Sequence, residues 1–102
     1  MRVISKARLK EFWDIQKRAK RPLEDWYAIV SQAAWQNLAD VGRIFPSADQ
    51  VTVKSGRPVV VFNVGGNKYR LIAAIHYNTQ TVFILDVMTH ADYTAIAWKQ
   101  KF

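Results

Sequence analysis

The thirty residues 57–86 constrain this chain more than any other stretch. They read Arg-Pro-Val-Val-Val-Phe-Asn-Val, Gly-Gly-Asn, Lys-Tyr-Arg-Leu-Ile-Ala-Ala-Ile-His-Tyr, Asn-Thr, then Gln-Thr-Val-Phe-Ile-Leu-Asp. Three β-branched and aromatic runs separated by two turn signals predict a meander of three strands. Gly65-Gly66-Asn67 supplies the positive φ that the first turn needs, and Asn78-Thr79 makes the second. Alternation in the middle strand sends Tyr69, Leu71, Ala73, Ile75 and Tyr77 to one face, which is apolar enough to pack against helices. Lys68, Arg70, Ile72, Ala74 and His76 face the other way, leaving a half-open surface with a cationic end. The third strand is apolar in both phases, Phe83, Leu85 and Val87 alternating with Val82, Ile84 and Asp86.

Helices surround this sheet in the sequence. Arg2–Ile4 reads as an edge strand, and Ser5 as an N-cap for an amphipathic helix over residues 6–19 with Leu9, Phe12 and Trp13 at helical spacing. Pro22 opens a second helix, in which Leu23, Trp26, Tyr27, Val30, Ala33, Ala34 and Leu38 follow the i, i+3, i+4, i+7 pattern. Trp13, Trp26 and Trp35 are expected in the core. Residues 39–56 carry turn signals at Gly42, Pro46-Ser47, Asp49 and Ser55-Gly56 and read as a long loop with a short strand near Val51. Thr89 is an N-cap candidate for a short terminal helix, with Asp92 at its third position. His90 and Tyr93 then share one face of that helix. The expectation is one α+β domain over residues 1–102: an antiparallel-dominated sheet of about four strands, two N-terminal helices on one face and a short C-terminal helix.

Composition narrows the function. The chain carries no cysteine, which excludes disulfides, Cys-based zinc sites and thiol catalysis. The first residues are interrupted by charge every two or three positions and no long apolar run follows, so a soluble, cytoplasmic protein without membrane contact is expected. Net charge is +7, and residues 1–21 hold eight cations against two carboxylates, leaving +1 for the remainder. So concentrated a basic patch fits a polyanion, nucleic acid first, although a solvated helix face gives the same pattern. There is no Gly-rich phosphate loop, nucleophile elbow or metal-ligand spacing, so neither metal nor cofactor is expected.

What remains is a cationic constellation of Lys68, Arg70, His90 and Tyr93, with Asn63, Asn67, Lys99 and Lys101 near in sequence or strand position. Metal-free RNA cleavage needs a base for the 2′-hydroxyl, cations for the charged phosphorane and an acid for the departing 5′ oxygen. Arginine clamps phosphate at two points, and histidine titrates near neutrality. Tyrosine orients a hydroxyl or stacks on a base. By pattern alone, His90 equally fits a cap or surface residue, and Lys68 and Arg70 a solvated strand face. His76, at the far end of its strand, reads as structural.

Val61-Phe-Asn-Val-Gly-Gly-Asn-Lys-Tyr-Arg-Leu-Ile-Ala73 and Val87-Met-Thr-His-Ala-Asp-Tyr93 resemble HigB toxins of type II toxin–antitoxin modules, a branch of the RelE-like superfamily. The resemblance extends over essentially the whole chain, including the basic first helix and Ile44-Phe-Pro-Ser47. It implies a microbial-RNase-type fold and an mRNA endonuclease that cleaves translated messages on the ribosome without metal. It also implies neutralisation by a helix-turn-helix antitoxin of the HigA type. Arg70 matches the superfamily's strand arginine at the scissile phosphate, and His90 and Tyr93 match its C-terminal catalytic positions. Lys68 is a second phosphate contact. RelE-type members often carry several cations near the first long strand. Here Val59–Val64 offers only Asn63, with Arg57 further back, and His90 is taken as the general base. Arg8, Lys17 and Arg18 of the basic segment would dock ribosomal RNA, and Asn63, Asn67, Lys99 and Lys101 would line the message. Two rival readings are a catalytically inactive RNA- or ribosome-binding module on the same scaffold, and a DNA-binding regulator acting through the basic helix.

Overall fold

The computed structural model describes residues 1–95 and 97–102. The meander forms as β3 (Pro58–Val64), β4 (Tyr69–His76) and β5 (Thr81–Thr89), flanked by β1 (Arg2–Ile4) and β2 (Asp49–Thr52). The sheet order is β1-β5-β4-β3-β2. The sheet is therefore five-stranded and mixed: antiparallel-dominated as expected, with one strand more than the four or so anticipated. β1 runs parallel to β5, with Val3 beside Val82, while the other pairs are antiparallel. A parallel pair needs a long connection, and the helices and the rest of the sheet supply it. Gly65 and Gly66 take φ of +64° and +67°, as the first turn requires.

The helices follow their apolar periodicity, with shorter bounds than the sequence suggests. α1 spans Ala7–Ile15, a 3₁₀ turn covers Lys17–Ala19, and α2 spans Lys20–Gln32. Ser5 does not cap α1. It adopts φ +72° and turns the chain, its carbonyl accepting from the Arg8 N–H at 3.0 Å. The pattern that ran on to Leu38 is broken after Gln32, because Asn37 starts a new helix, α3 (Leu38–Ile44), by accepting from the Asp40 N–H at 3.0 Å. Residues read as loop thus hold most of a helix, and the short strand expected there forms as β2, two residues earlier than the sequence suggests. The C-terminal helix is two short pieces, α4 (His90–Thr94) and α5 (Ala97–Lys101). Thr89 caps α4 as expected, accepting from the Asp92 N–H at 3.2 Å. Among the described residues no helix is long and apolar enough to cross a membrane.

Two cores sandwich the sheet. On the helix side, Leu9, Leu23, Trp26 and Val30 meet Val60, Phe62, Val64, Leu71 and Ala73. Phe62 is fully buried among aromatic rings, edge-on to Trp26 at 5.4 Å and to Phe45 at 5.2 Å, and stacked with Trp35 at 6.3 Å. Trp26 and Trp35 are core residues as expected, and Trp13 packs at the margin. The opposite face is not half open. Val53, Val59, Val61, Ile72 and Met88 lie under Trp98, with Tyr93 and Phe102 packed alongside. A β-bulge explains the two-phase apolarity of β5. Ile72 pairs with Asp86 and Ala73 with Ile84, so Leu85 has no partner and the alternation changes phase. Val82, Ile84 and Val87 then join the helix-side core, while Met88 joins the other.

Two predictions follow from this packing. Phe62→Ala leaves a cavity among three aromatic rings and lowers stability by about 3–5 kcal/mol, read from the urea midpoint. The second concerns Tyr77, whose buried hydroxyl has no partner among the described residues. Burial, and secondarily the charge of Asp40, raises its pKa above the ordinary 10.0. The native state therefore keeps this proton while the unfolded chain loses it. Stability is full below pH 10.0 and drains away as pH rises through the native value. Tyr77→Phe gives up no hydrogen bond, so it should leave neutral-pH stability equal or higher and flatten the alkaline loss in thermal melts.

Candidate active site

Arg70, the second residue of β4, anchors the site. It lies across from Asn63 on β3 and Met88 on β5, at the end of the sheet next to the Gly65-Gly66 turn. Its side chain belongs to the face covered by Trp98, and the residue is only 6% exposed. A buried charge needs acceptors, and Arg70 finds four. Nη1 donates to the carbonyls of Asn67 and Tyr69, both at 3.1 Å. Nη2 donates to Asn67 Oδ1 at 2.9 Å and meets His90 Nδ1 at 2.9 Å. The Tyr93 ring lies 5.4 Å from the guanidinium carbon, a cation–π arrangement. Among the described residues no carboxylate pairs with Arg70. Its charge is solvated by neutral groups alone.

The C-terminal segment is fixed against this cation by backbone bonds. The His90 N–H donates to the Lys68 carbonyl at 2.9 Å, tying the start of α4 to the start of β4. Trp98 stacks on Tyr93 at 5.3 Å and donates its indole N–H to the Tyr93 carbonyl at 3.0 Å. The Lys54 N–H donates to the Lys99 carbonyl at 3.0 Å, pinning α5 beside the β2–β3 connection. His90 and Tyr93 are thereby brought to an arginine 20 or more residues before them in sequence.

The other singled-out residues are placed differently. Lys68 is exposed at the rim beside His90. Asn63 is half-buried across from Arg70, and it borders a groove between the β3–β4 turn and Arg21, Pro22 and Trp26 of α2. Asn67 directs both its carbonyl and its side-chain oxygen at the guanidinium. Lys99 reaches over the Trp98 ring at 5.9 Å, while Lys101 pairs with Asp86 at 3.3 Å. Arg8 is exposed on α1, where it borders a groove with Phe12, Asp86 and Val87. Lys17 and Arg18 are exposed on the 3₁₀ turn. Elsewhere in the basic segment, Lys10 pairs with Asp14 and holds that carboxyl below its ordinary 3.8, and Arg21 pairs with Asp25. His76 is exposed and packs edge-on against Phe83, away from the Arg70 site. Among the described residues no group of three or more His, Asp or Glu side chains converges as metal ligands would.

Sequence reasoning overlooked two contributors. Asn67 was read as a contact for RNA, yet its spacing of three from Arg70 across a glycine turn brings its amide onto the guanidinium. Trp98 was read only as part of a basic, aromatic tail, and its indole covers the sheet face that carries the site.

Comparison with known proteins identifies relatives of the chain. The mRNA interferase toxin HigB of Escherichia coli strain K12 is 28% identical over 93 residues, covering 91% of this chain and 88% of the relative. The mRNA interferase HigB of Shigella flexneri matches to the same extent. That of Escherichia coli O6:H1 is 26% identical over the same shares. A family model described as HigB toxin, RelE-like toxic component of a toxin–antitoxin system, matches residues 19–96, a span that includes α2, the whole meander and α4. The chain belongs to the HigB toxin family.

Proposed function

We propose that this protein is an endoribonuclease, the toxin of a type II toxin–antitoxin pair, that cuts messenger RNA while it is being translated on the ribosome. The observation that carries the reading is Arg70, a buried guanidinium with no carboxylate partner among the described residues, held beside His90 and Tyr93. A cation solvated only by neutral groups is arranged to receive an anion. An internucleotide phosphate is the anion that would place a 2′-hydroxyl next to a histidine. His90 takes the 2′-hydroxyl proton, the 2′ oxygen bonds to phosphorus, and the P–O5′ bond breaks. O5′ takes a proton from water, and the imidazolium later returns its own to solvent. Arg70 and Lys68 neutralise the phosphorane, and Tyr93 orients the hydroxyl or stacks on a base. The cleavage runs on these groups alone, with no metal or cofactor.

In this reading residues 1–102 act as one domain with a RelE-like, microbial-RNase-type fold. Arg8, Lys17 and Arg18 lie on exposed helical surface and dock ribosomal RNA, with salt-sensitive affinity. Asn63, across from Arg70, and Lys99, over the Trp98 ring, guide the message. An antitoxin of the HigA helix-turn-helix type would neutralise the protein in the cytoplasm. A second reading, an inactive RNA-binding module, is favoured by one observation: the Nδ1 lone pair of His90 is occupied by Arg70.

Primer extension on a defined message in a reconstituted translation system decides between them. Wild type should produce cuts only with ribosomes present, unchanged by a chelator. Arg70→Ala and His90→Ala should each lower cleavage by 10²-fold or more, roughly the scale of losing one electrostatic or acid–base contributor. Binding without cuts would establish the inactive module. Cuts on free RNA would keep the enzyme and discard the ribosome requirement. Cuts that stop with the chelator would remove the metal-free chemistry.

A further inference from the structure

A guanidinium carries only donors, so the 2.9 Å contact between Arg70 Nη2 and His90 Nδ1 has one consistent protonation. Nδ1 must accept. While the contact lasts, His90 is neutral, its proton sits on Nε2, and its single lone pair points at Arg70. A histidine in that state has no free site for a substrate proton. The four hydrogens on Nη1 and Nη2 are matched by four protein acceptors, so an incoming phosphate can be clamped there only by displacing one of them. Two are main-chain carbonyls fixed by the turn and by β4. The two on Nη2 belong to side chains, Asn67 and His90. A phosphate oxygen, being charged, makes a stronger bond to guanidinium than a neutral imidazole does.

We propose that Arg70 is a latch on His90: it holds Nδ1 masked in the free protein, and a substrate phosphate that binds the Nη2 edge takes its place and frees Nδ1 as the base. This rests on the endonuclease reading above and adds the order of events, with the base appearing only after the scissile phosphate is seated. The proton then moves as already described, from the 2′-hydroxyl to Nδ1. Asn67 keeps the guanidinium in place during the exchange, through its carbonyl on Nη1. It is a positioning residue in this scheme.

The tautomer is measurable without any cleavage. Two-bond ¹H–¹⁵N correlation spectra of the ¹⁵N-labelled protein at mildly alkaline pH report each ring nitrogen separately, and His76→Gln identifies the His90 signals. The expected spectrum shows a protonated Nε2 and an unprotonated, hydrogen-bonded Nδ1. Titration with inorganic phosphate should move Nδ1 downfield to the position of a free lone pair while Nε2 stays protonated. Arg70→Ala should show the free Nδ1 position without phosphate. A protonated Nδ1 in the free protein overturns the latch. So does an Arg70 Nε–H signal that responds to phosphate while Nδ1 does not, since Asn67 would then be the group displaced. Phosphate that moves neither signal overturns it as well. A released Nδ1 in a protein that never cuts RNA would refute the endonuclease and leave the latch standing, and cleavage by a protein with protonated Nδ1 would do the reverse.

Discussion

The burial of the Arg70 charge is the constraint on which the rest of this face depends. Removing a guanidinium from water costs several kcal/mol unless its donors are met, and a carboxylate would be the usual remedy. Here the requirement falls on neutral groups, and each has to be delivered by a different piece of the fold. Gly65 and Gly66 hold the positive φ that curls Asn67 back over β4. The Thr89 cap and the His90–Lys68 backbone bond set the angle at which α4 leaves the sheet. Trp98 stacks on the Tyr93 ring and holds it in place. The neutral cage leaves the cation's field uncompensated, and an anion would gain from that field.

The sheet divides its work between faces. On the helix side, fully buried Leu9, Leu23, Val30, Phe62 and Leu71 make the apolar centre of the core, while the buried indole nitrogens of Trp26 and Trp35 and the Tyr77 hydroxyl find no partner among the described residues. The other face has a smaller core, and the strand end that emerges from it carries the candidate site. The bulge at Leu85 joins the two. Without it, Val87 and Met88 would exchange faces, since a one-residue slip inverts the pleat. Met88 would then leave Arg70's side of the sheet, and Thr89 would lead α4 away from it. An irregularity in pairing therefore aims the segment that holds His90 and Tyr93, in keeping with the frequency of bulges beside active sites.

How much of this could be read from the sequence follows from the range of the forces involved. The three meander strands and their inner face were legible, because alternation and turn chemistry are local. The same is true of α2 up to Gln32 and of the Thr89 cap. The end of α2 was not. Ala33, Ala34 and Leu38 continue a helical stripe, but Trp35 has to reach Phe62 and Asn37 caps a different helix. Tertiary packing and a cap overrode a periodicity that had no information about either. Ser5 failed as an N-cap for the related reason that β1 must turn sharply off the sheet edge. At the site, Arg70, His90 and Tyr93 could be named from motif and resemblance, and the structure brings those three together. The burial of Arg70 could not be named, because it depends on Trp98 folding back over a face that alternation alone leaves open, nor could the acceptor role of Asn67, which depends on how the Gly65-Gly66 turn curls.

The division of charge bears on how such a small site could work. The cations of the first helix and the 3₁₀ turn are exposed, and surface ion pairs take up only part of them. Arg70 is buried and enclosed. Exposed cations act at long range and lose strength in salt, which suits capture and docking on a polyanion. An enclosed guanidinium acts only at contact, where it is sensitive to geometry and hardly to salt. A chain of 102 residues has little surface left to orient a flexible message as well. If the ribosome holds the message, much of the entropic cost of alignment is already met before the phosphate reaches Arg70. In the proposed reading the toxin then needs one well-placed cation, one base and one aromatic ring, and the C-terminal segment folded over the sheet brings a histidine and a tyrosine to Arg70.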